Sequence, residues 1–223
     1  MAAASPPEEL QARVEEIRRA LPSSTRLLAV SKGQPAERIR EAAAAGLRSF
    51  GESRLQEAMA KQEELHDLKG LEPPLDWHFI GRLQANKARG VVRHFGTIHS
   101  VDSLALAERL ERIAAEEGRR PVVFLQVKLR PDPAKGGFDP LELRQAWPRL
   151  QALEALQVLG LMTIAPLGLD QAERSALFRD CAALAGELEL SELSMGMSGD
   201  WREAVAAGST WVRLGSGLFG ARP

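Results

Sequence analysis

The stretch LLAVSKGQP, Leu27 to Pro35, ends an apolar run on a primary amine, with a glycine and a proline behind it. A lysine at the end of a buried strand has two uses. It marks where the chain reaches water, or it acts as a nucleophile: low-dielectric walls and nearby cations lower an amine's pKa until it attacks a carbonyl and forms a Schiff base. Near the other end, GSTWVRLGSGLFGARP sets Gly215, Gly217 and Gly220 in G-x-G-x-x-G spacing. Only three residues follow Gly220, too few for the helix and acidic ribose partner that dinucleotide binding needs. What remains is a glycine–serine turn whose backbone N–H groups can converge on an anion. MSGD, from Met197, supplies a second turn at a helix start, where amides and macrodipole favour negative charge. Ser198 and Ser216 add a hydroxyl to each turn. The simpler use of the same residues is structural, with Ser198 and Asp200 capping a helix and the glycines turning the chain.

A Schiff-base lysine together with a phosphate cup selects a phosphorylated aldehyde, and pyridoxal phosphate is the common one that protein lysines hold covalently. Arg213, in WVRLG on the last strand, could then face the pyridine nitrogen of such a ligand. A guanidinium only donates, so it keeps that nitrogen unprotonated and weakens the ring as an electron sink. A strand-edge cation in an ion pair is the competing use of Arg213. A Schiff-base aldolase without pyridoxal is a third chemistry for Lys32; it would give no visible band.

Positioning these residues requires strands that end on one face. Short β-prone runs begin at Arg26, Ser49, Trp77, Thr97, Pro121, Gly160, Glu192 and Trp211, each continuous in apolar character as expected for strands covered on both sides. Helical patterns lie between them. Leu10, Val14, Ile17 and Leu21 fall on one face of a helix before the first strand, Leu106, Leu110 and Ile113 line another, and Leu177, Cys181, Leu184 and Leu188 a third. Pro35 and Gly46 have the start-and-stop asymmetry of a helix, and Asp200 with Glu203 has capping-box spacing. Eight such units over residues 1–223 predict a single-domain (β/α)₈ TIM barrel with an extra N-terminal helix and no second domain. A doubly wound open sheet would read the same way strand by strand. In either fold the carboxyl ends of the strands form the working face, which is where Lys32, Ser53, Ser198 and Ser216 fall.

Composition narrows the setting. Hydrophobic residues make up 44% and charged residues 26%, with a formal net charge of −1, so no broad basic field is available for nucleic acid or anionic membrane. The basic stretch NKARGVVRH, Asn86 to His94, lacks interleaved aromatics and reads as a solvated helix face. The lone Cys181 excludes an internal disulfide, and the histidines lack metal-ligand spacing, so no metal is expected. MAAASPPEEL has no basic and apolar leader pattern, and no apolar run reaches membrane-spanning length. These features predict a cytoplasmic protein.

In order along the chain, AVSK, FGES, WHFIGRLQANK, HSVDS, GLMTI, LSMGMSGDW and GSTWVRLGSGLFGAR resemble the pyridoxal phosphate homeostasis protein family, itself similar to the barrel of fold-type III enzymes such as alanine racemase. The resemblance implies that Lys32 carries pyridoxal phosphate as an internal aldimine and that Arg213 meets the pyridine nitrogen. It also implies that Ser198, Gly215 and Ser216 hold the phosphate beside the backbone of Met195 and Gly196. His78 and Met162 fall on strands that line the family's pocket, although both also suit the core. The family usually reads FGEN where this chain has FGES, so Ser53 is shorter and lacks the amide of the asparagine it replaces.

The resemblance implies a non-catalytic carrier that buffers the cofactor and delivers it to apoenzymes. The alternative is a weak amino-acid racemase. Racemisation needs a base on each face of the substrate adduct, and Lys32 supplies one. Alanine racemase takes the other from a tyrosine of a second domain of the partner subunit; this chain has no tyrosine. With no second domain to complete a site across subunits, a monomer is expected.

Overall fold

The computed structural model describes residues 6–133 and 135–220. The reading of the N-terminal segment as no leader falls partly outside them. Eight parallel strands close into a barrel in strict chain order. They are β1 (Arg26–Val30), β2 (Ser49–Glu52), β3 (Asp76–Phe79), β4 (Thr97–Val101), β5 (Val122–Gln126), β6 (Gln157–Met162), β7 (Glu192–Ser194) and β8 (Trp211–Leu214). The helices are α1 (Pro6–Ala20), α2 (Ala36–Ala44), α3 (Leu55–Glu64), α4 (Ala88–His94), α5 (Leu104–Glu116), α6 (Pro140–Gln151), α7 (Gln171–Glu187), α8 (Trp201–Ala206) and α9 (Ser216–Phe219). The expected barrel is the observed one, and the open sheet is excluded by the pairing of β1 with β8, in which Leu28 lies opposite Arg213 and Ala29 opposite Leu214.

Alternation along the strands divides the core in two. Leu28, Phe124, Met162 and Trp211 pack inside the barrel. Their neighbours in sequence, including Ala29, Leu161 and Val212, turn outward to the helices. The outer face of β8 would be bare, because α9 is only four residues long. Leu10 and Val14 of α1 cover it instead, fully buried against Val212, Leu214 and Leu218. Each such side chain contributes about 1.5–3 kcal/mol by leaving water. That is the physical reason for the extra front helix.

Two local readings change. β6 starts three residues before the expected Gly160, at Gln157. Asp200 and Glu203 form no capping box: Asp200 Oδ1 accepts from the Met197 N–H at 2.6 Å, inside the loop, and Glu203 pairs with Arg174 of α7 at 2.8 Å. Capping boxes form instead at Asp139 with Glu142 and at Asp170 with Glu173, at the starts of α6 and α7. Within the basic stretch 86–94, Arg89 and Arg93 are neutralised by Glu116 and Glu117. Arg93 holds the Glu117 carboxyl down at about 2, with Arg89 adding to the effect.

Candidate functional site

The inward–outward alternation of Leu28 and Ala29 puts Val30 on the barrel side at the end of β1, and the half-buried Lys32 follows in the turn just beyond it. Ser31 points the other way from Val30, into the layer between barrel and helices. There its hydroxyl donates to Glu52 Oε1 at 2.7 Å. The Lys61 ammonium, reaching in from α3, donates to the Ser31 carbonyl at 2.8 Å, to Glu52 Oε1 at 2.7 Å and to Glu57 Oε1 at 2.6 Å. Glu57 also accepts the N–H of Gly33. The residues on both sides of Lys32 are therefore tied to one buried ion cluster.

The electrostatics of that cluster are uneven. Glu52 is wholly buried, and desolvation pushes its carboxyl up against the opposing pull of Lys61 and Ser31. Its Oε2 has no hydrogen-bond partner among the described residues. Partial burial also works to raise Glu57, but the bonds from Lys61 and Gly33 outweigh it and hold that carboxyl below its usual range.

Across the β1–β8 seam lies the glycine–serine turn. A Cβ on Gly215 would stand 3.5 Å from the Val30 carbonyl, so this turn runs directly beside the end of β1, two residues before Lys32. The N–H of Gly217 donates to Ser198 Oγ at 3.1 Å, joining the turn after β8 to the loop after β7. Ser198 is half-buried and Ser216 exposed. Ser216 and Gly217 open α9, and the first amides of a helix have no partner within it. Gly196 has a left-handed φ of 93°, and a Cβ there would press to 2.9 Å from the Trp201 backbone, so only glycine lets the loop pass.

One strand register deeper, Arg213 is 4% exposed and points into the barrel. Its Nη1 donates to the Ser194 carbonyl at 2.6 Å and to Ser194 Oγ at 2.8 Å, and its Nη2 to the Thr163 carbonyl at 2.9 Å. Burial lowers the guanidinium to about 10, still charged at neutral pH. These bonds use three of its five N–H groups.

The other expected residues are placed unequally. Ser53 stands half-buried at the end of β2, with its backbone so close to β3 that a Cβ on Gly81 would lie 2.2 Å from its carbonyl oxygen. Met162 is packed in the inner core. His78 is buried and engaged on both ring nitrogens, by Asp76 at 2.6 Å and His99 at 2.8 Å. Met195 directly follows the carboxyl end of β7. Its side chain packs in the outer layer, its N–H donates to the Trp211 carbonyl at 3.1 Å, and its carbonyl accepts from Ser209 at 2.7 Å.

Lys61, Glu57 and Ser194 carry no signal for this site in the sequence, and His99 reads there only as a histidine without metal-ligand spacing. Glu57 and Lys61 do stand four apart, a pairing signal if the segment is helical, but Ser31 and Gly33 come to them only through the tertiary fold. A groove of about 730 Å³ between α3 and the 66–70 turn, lined by Met59, Leu65, Leu68 and Trp77, lies apart from all the strand-end chemistry.

An amine, a two-loop cup of hydroxyls and amides, and a buried donor-only cation form a donor set that fits a phosphorylated aromatic aldehyde. Residues 7–223 match the family model of the alanine racemase N-terminal domain. The chain is 49% identical to the pyridoxal phosphate homeostasis protein of Synechocystis, over 93% of this chain and 96% of that protein. It is 44% identical to the Pseudomonas aeruginosa protein of the same name, over 96% and 93%. PipY of Synechococcus elongatus, solved with pyridoxal phosphate bound, superposes with a TM-score of 0.90 at 56% identity, covering 95% of this chain and all of that one. Alanine racemase of Clostridium difficile shares the fold, with a TM-score of 0.76 at 17% identity, over 96% of this chain and 57% of the enzyme.

Proposed function

The chain belongs to the family of pyridoxal phosphate homeostasis proteins, and on that premise we propose that it binds pyridoxal phosphate at the β1–β8 seam, buffers it, and passes it to apoenzymes. The observation that carries this reading is the juxtaposition of the Lys32 strand with the Gly215–Gly217 turn, bridged to Ser198. When bound, the cofactor supplies a reactive aldehyde and an aromatic ring able to draw electrons.

Lys32 is the amine that holds it covalently, and a competing amine releases it. The clamp of Lys61 and Glu57 keeps the Lys32 backbone fixed, so that little ordering remains to be done when the ligand arrives. Ser198, Ser216 and the amides of the last turn orient the phosphate, with Gly196 leaving room for the loop. Arg213 donates to the ring nitrogen without ever protonating it. That choice favours holding over catalysis, since an unprotonated ring stabilises a carbanion poorly. The chain also has no tyrosine to supply a second base. The protein acts as a cytoplasmic monomer on this reading.

Visible absorbance after incubation with pyridoxal phosphate, beside Lys32→Ala, is the direct test. A band in the wild type that borohydride removes and Lys32→Ala lacks is expected. No band in either would refute the assignment, and amino-acid racemisation at rates matching dedicated enzymes would refute the carrier role.

A further inference from the structure

Beneath the mouth, five polar side chains cross the barrel in a single file. Arg213 Nη1 donates to Ser194 Oγ at 2.8 Å, and Ser194 Oγ lies 2.7 Å from His99 Nδ1. His99 Nε2 lies 2.8 Å from His78 Nδ1, and His78 Nε2 lies 2.6 Å from Asp76 Oδ2. The four inner members are at most 4% exposed, whereas the Asp76 side chain, at the amino end of β3, is 46% exposed. Trp211 and Phe124 wall the file, with the His99 ring stacked on Phe124 at 4.4 Å between centroids.

The proton positions follow from elimination. A carboxylate only accepts, so the Asp76 end puts the His78 proton on Nε2 and, with one proton on each ring, leaves Nδ1 of His78 and of His99 as acceptors. Ser194 Oγ, which accepts from the donor-only Arg213, then gives its own proton to His99 Nδ1. Burial, with His78 and Arg213 adding to it, holds His99 well below its usual pKa, so its ring is neutral and carries one proton. That proton is on Nε2 and is donated to His78 Nδ1. The His78 proton is then on Nε2 and is donated to Asp76. Every bond runs the same way, from a buried cation to a carboxylate in water.

Packing alone does not call for such a file. Leu28 and Met162 fill the same barrel interior with apolar atoms, and a buried polar chain is commonly no more stable than its apolar substitute. We propose that Asp76, His78 and His99 are positioning residues that hold the Arg213 guanidinium, through Ser194, in the orientation that meets the cofactor ring. This rests on the pyridoxal phosphate reading for its purpose, but not for its geometry. The bonds to Ser194 and Thr163 leave the Nε–H and one Nη2–H for the ligand, and the orientation of Ser194 decides which they are.

The test is ¹⁵N NMR of the imidazole and guanidinium groups in the cofactor-free protein, for wild type, Asp76→Ala and Asp76→Asn, followed by titration with pyridoxal phosphate. In the wild type both His78 and His99 should carry their proton on Nε2. Asp76→Ala should mix the tautomers of both rings, move the Arg213 Nε signal, weaken cofactor binding about fivefold, the scale of one hydrogen bond, and shift the visible maximum. Asp76→Asn, whose amide oxygen still accepts, should restore all four. Unchanged His99 and Arg213 signals in Asp76→Ala would overturn the relay, with circular dichroism confirming that the variant is folded. A wild type with the expected tautomers but no visible band would overturn the cofactor reading and the purpose given to the relay with it, a different signature from failure of the relay itself.

Discussion

The ammonium of Lys61 lies 2.8 Å from the carbonyl oxygen of Ser31, the residue immediately before Lys32, while the same nitrogen neutralises Glu52. A single buried charge therefore both compensates a carboxylate and anchors the backbone of the proposed covalent site.

Lys61→Met should be costly for that reason. It leaves Glu52 buried without a counter-charge, a change worth about 3–5 kcal/mol. Adding Glu52→Leu to it should recover most of that stability, because an apolar pair of similar volume replaces the ion pair. Denaturant unfolding of the single and double variants measures both. The double variant should still bind pyridoxal phosphate more weakly than wild type, since Ser31 has lost its anchor.

Ser198→Ala removes the acceptor of the Gly217 N–H at a half-exposed position. Stability should change little. Pyridoxal phosphate affinity should fall roughly five- to tenfold, the scale of one hydrogen bond and its partner's orientation, as read by absorbance titration. An unchanged affinity would remove Ser198 from the phosphate cup.

Gly81→Ala tests the close approach of β2 and β3. Its Cβ would meet the Ser53 carbonyl oxygen at 2.2 Å, a backbone atom that cannot swing away. Overpacking of this kind costs about 1–3 kcal/mol. Melting temperature should fall, and the end of β2 that carries Ser53 should be displaced from the mouth.

His99 gives a pH dependence with a definite sign. Its pKa is lower in the folded chain than the ordinary 6.5, chiefly because of burial. Below 6.5 the unfolded state binds the extra proton and the folded state does not. Stability is therefore complete above 6.5 and declines as pH falls toward the folded value, by up to about 1.4 kcal/mol per pH unit from this group. Glu52, raised by burial, contributes in the opposite direction, gaining as it protonates in acid. Urea unfolding of wild type and His99→Gln across pH 4.5 to 7.5, a span of about two units below that threshold, should show a shallower acid slope in the variant.

The barrel was legible because its evidence is local and repeated: apolar runs too short for helices, each followed by a helical face, with Leu106, Leu110 and Ile113 or Leu177, Cys181 and Leu184 recurring at helical spacing and all found buried. The strand ends were legible for the same reason: Lys32 follows β1 and Ser198 lies in the loop after β7. The clamp and the relay were not. Lys61 reads as an ordinary helix lysine until β2 turns Glu52 outward beneath it. His78 and His99 are 21 residues apart, and only the register of β3 on β4 brings their rings to 2.8 Å. Asp200 misled in the opposite way: its spacing to Glu203 suits a cap, but a neighbouring loop amide and Arg174 compete for the two carboxylates and win.

The first and last strands of the barrel are hydrogen-bonded partners, and the proposed pocket straddles the line where they meet. During synthesis the amine emerges from the ribosome almost two hundred residues ahead of the turn that completes its cup. A nascent or prematurely ended chain thus displays a lysine with no pocket around it, and ligand capture becomes a readout that the barrel has shut.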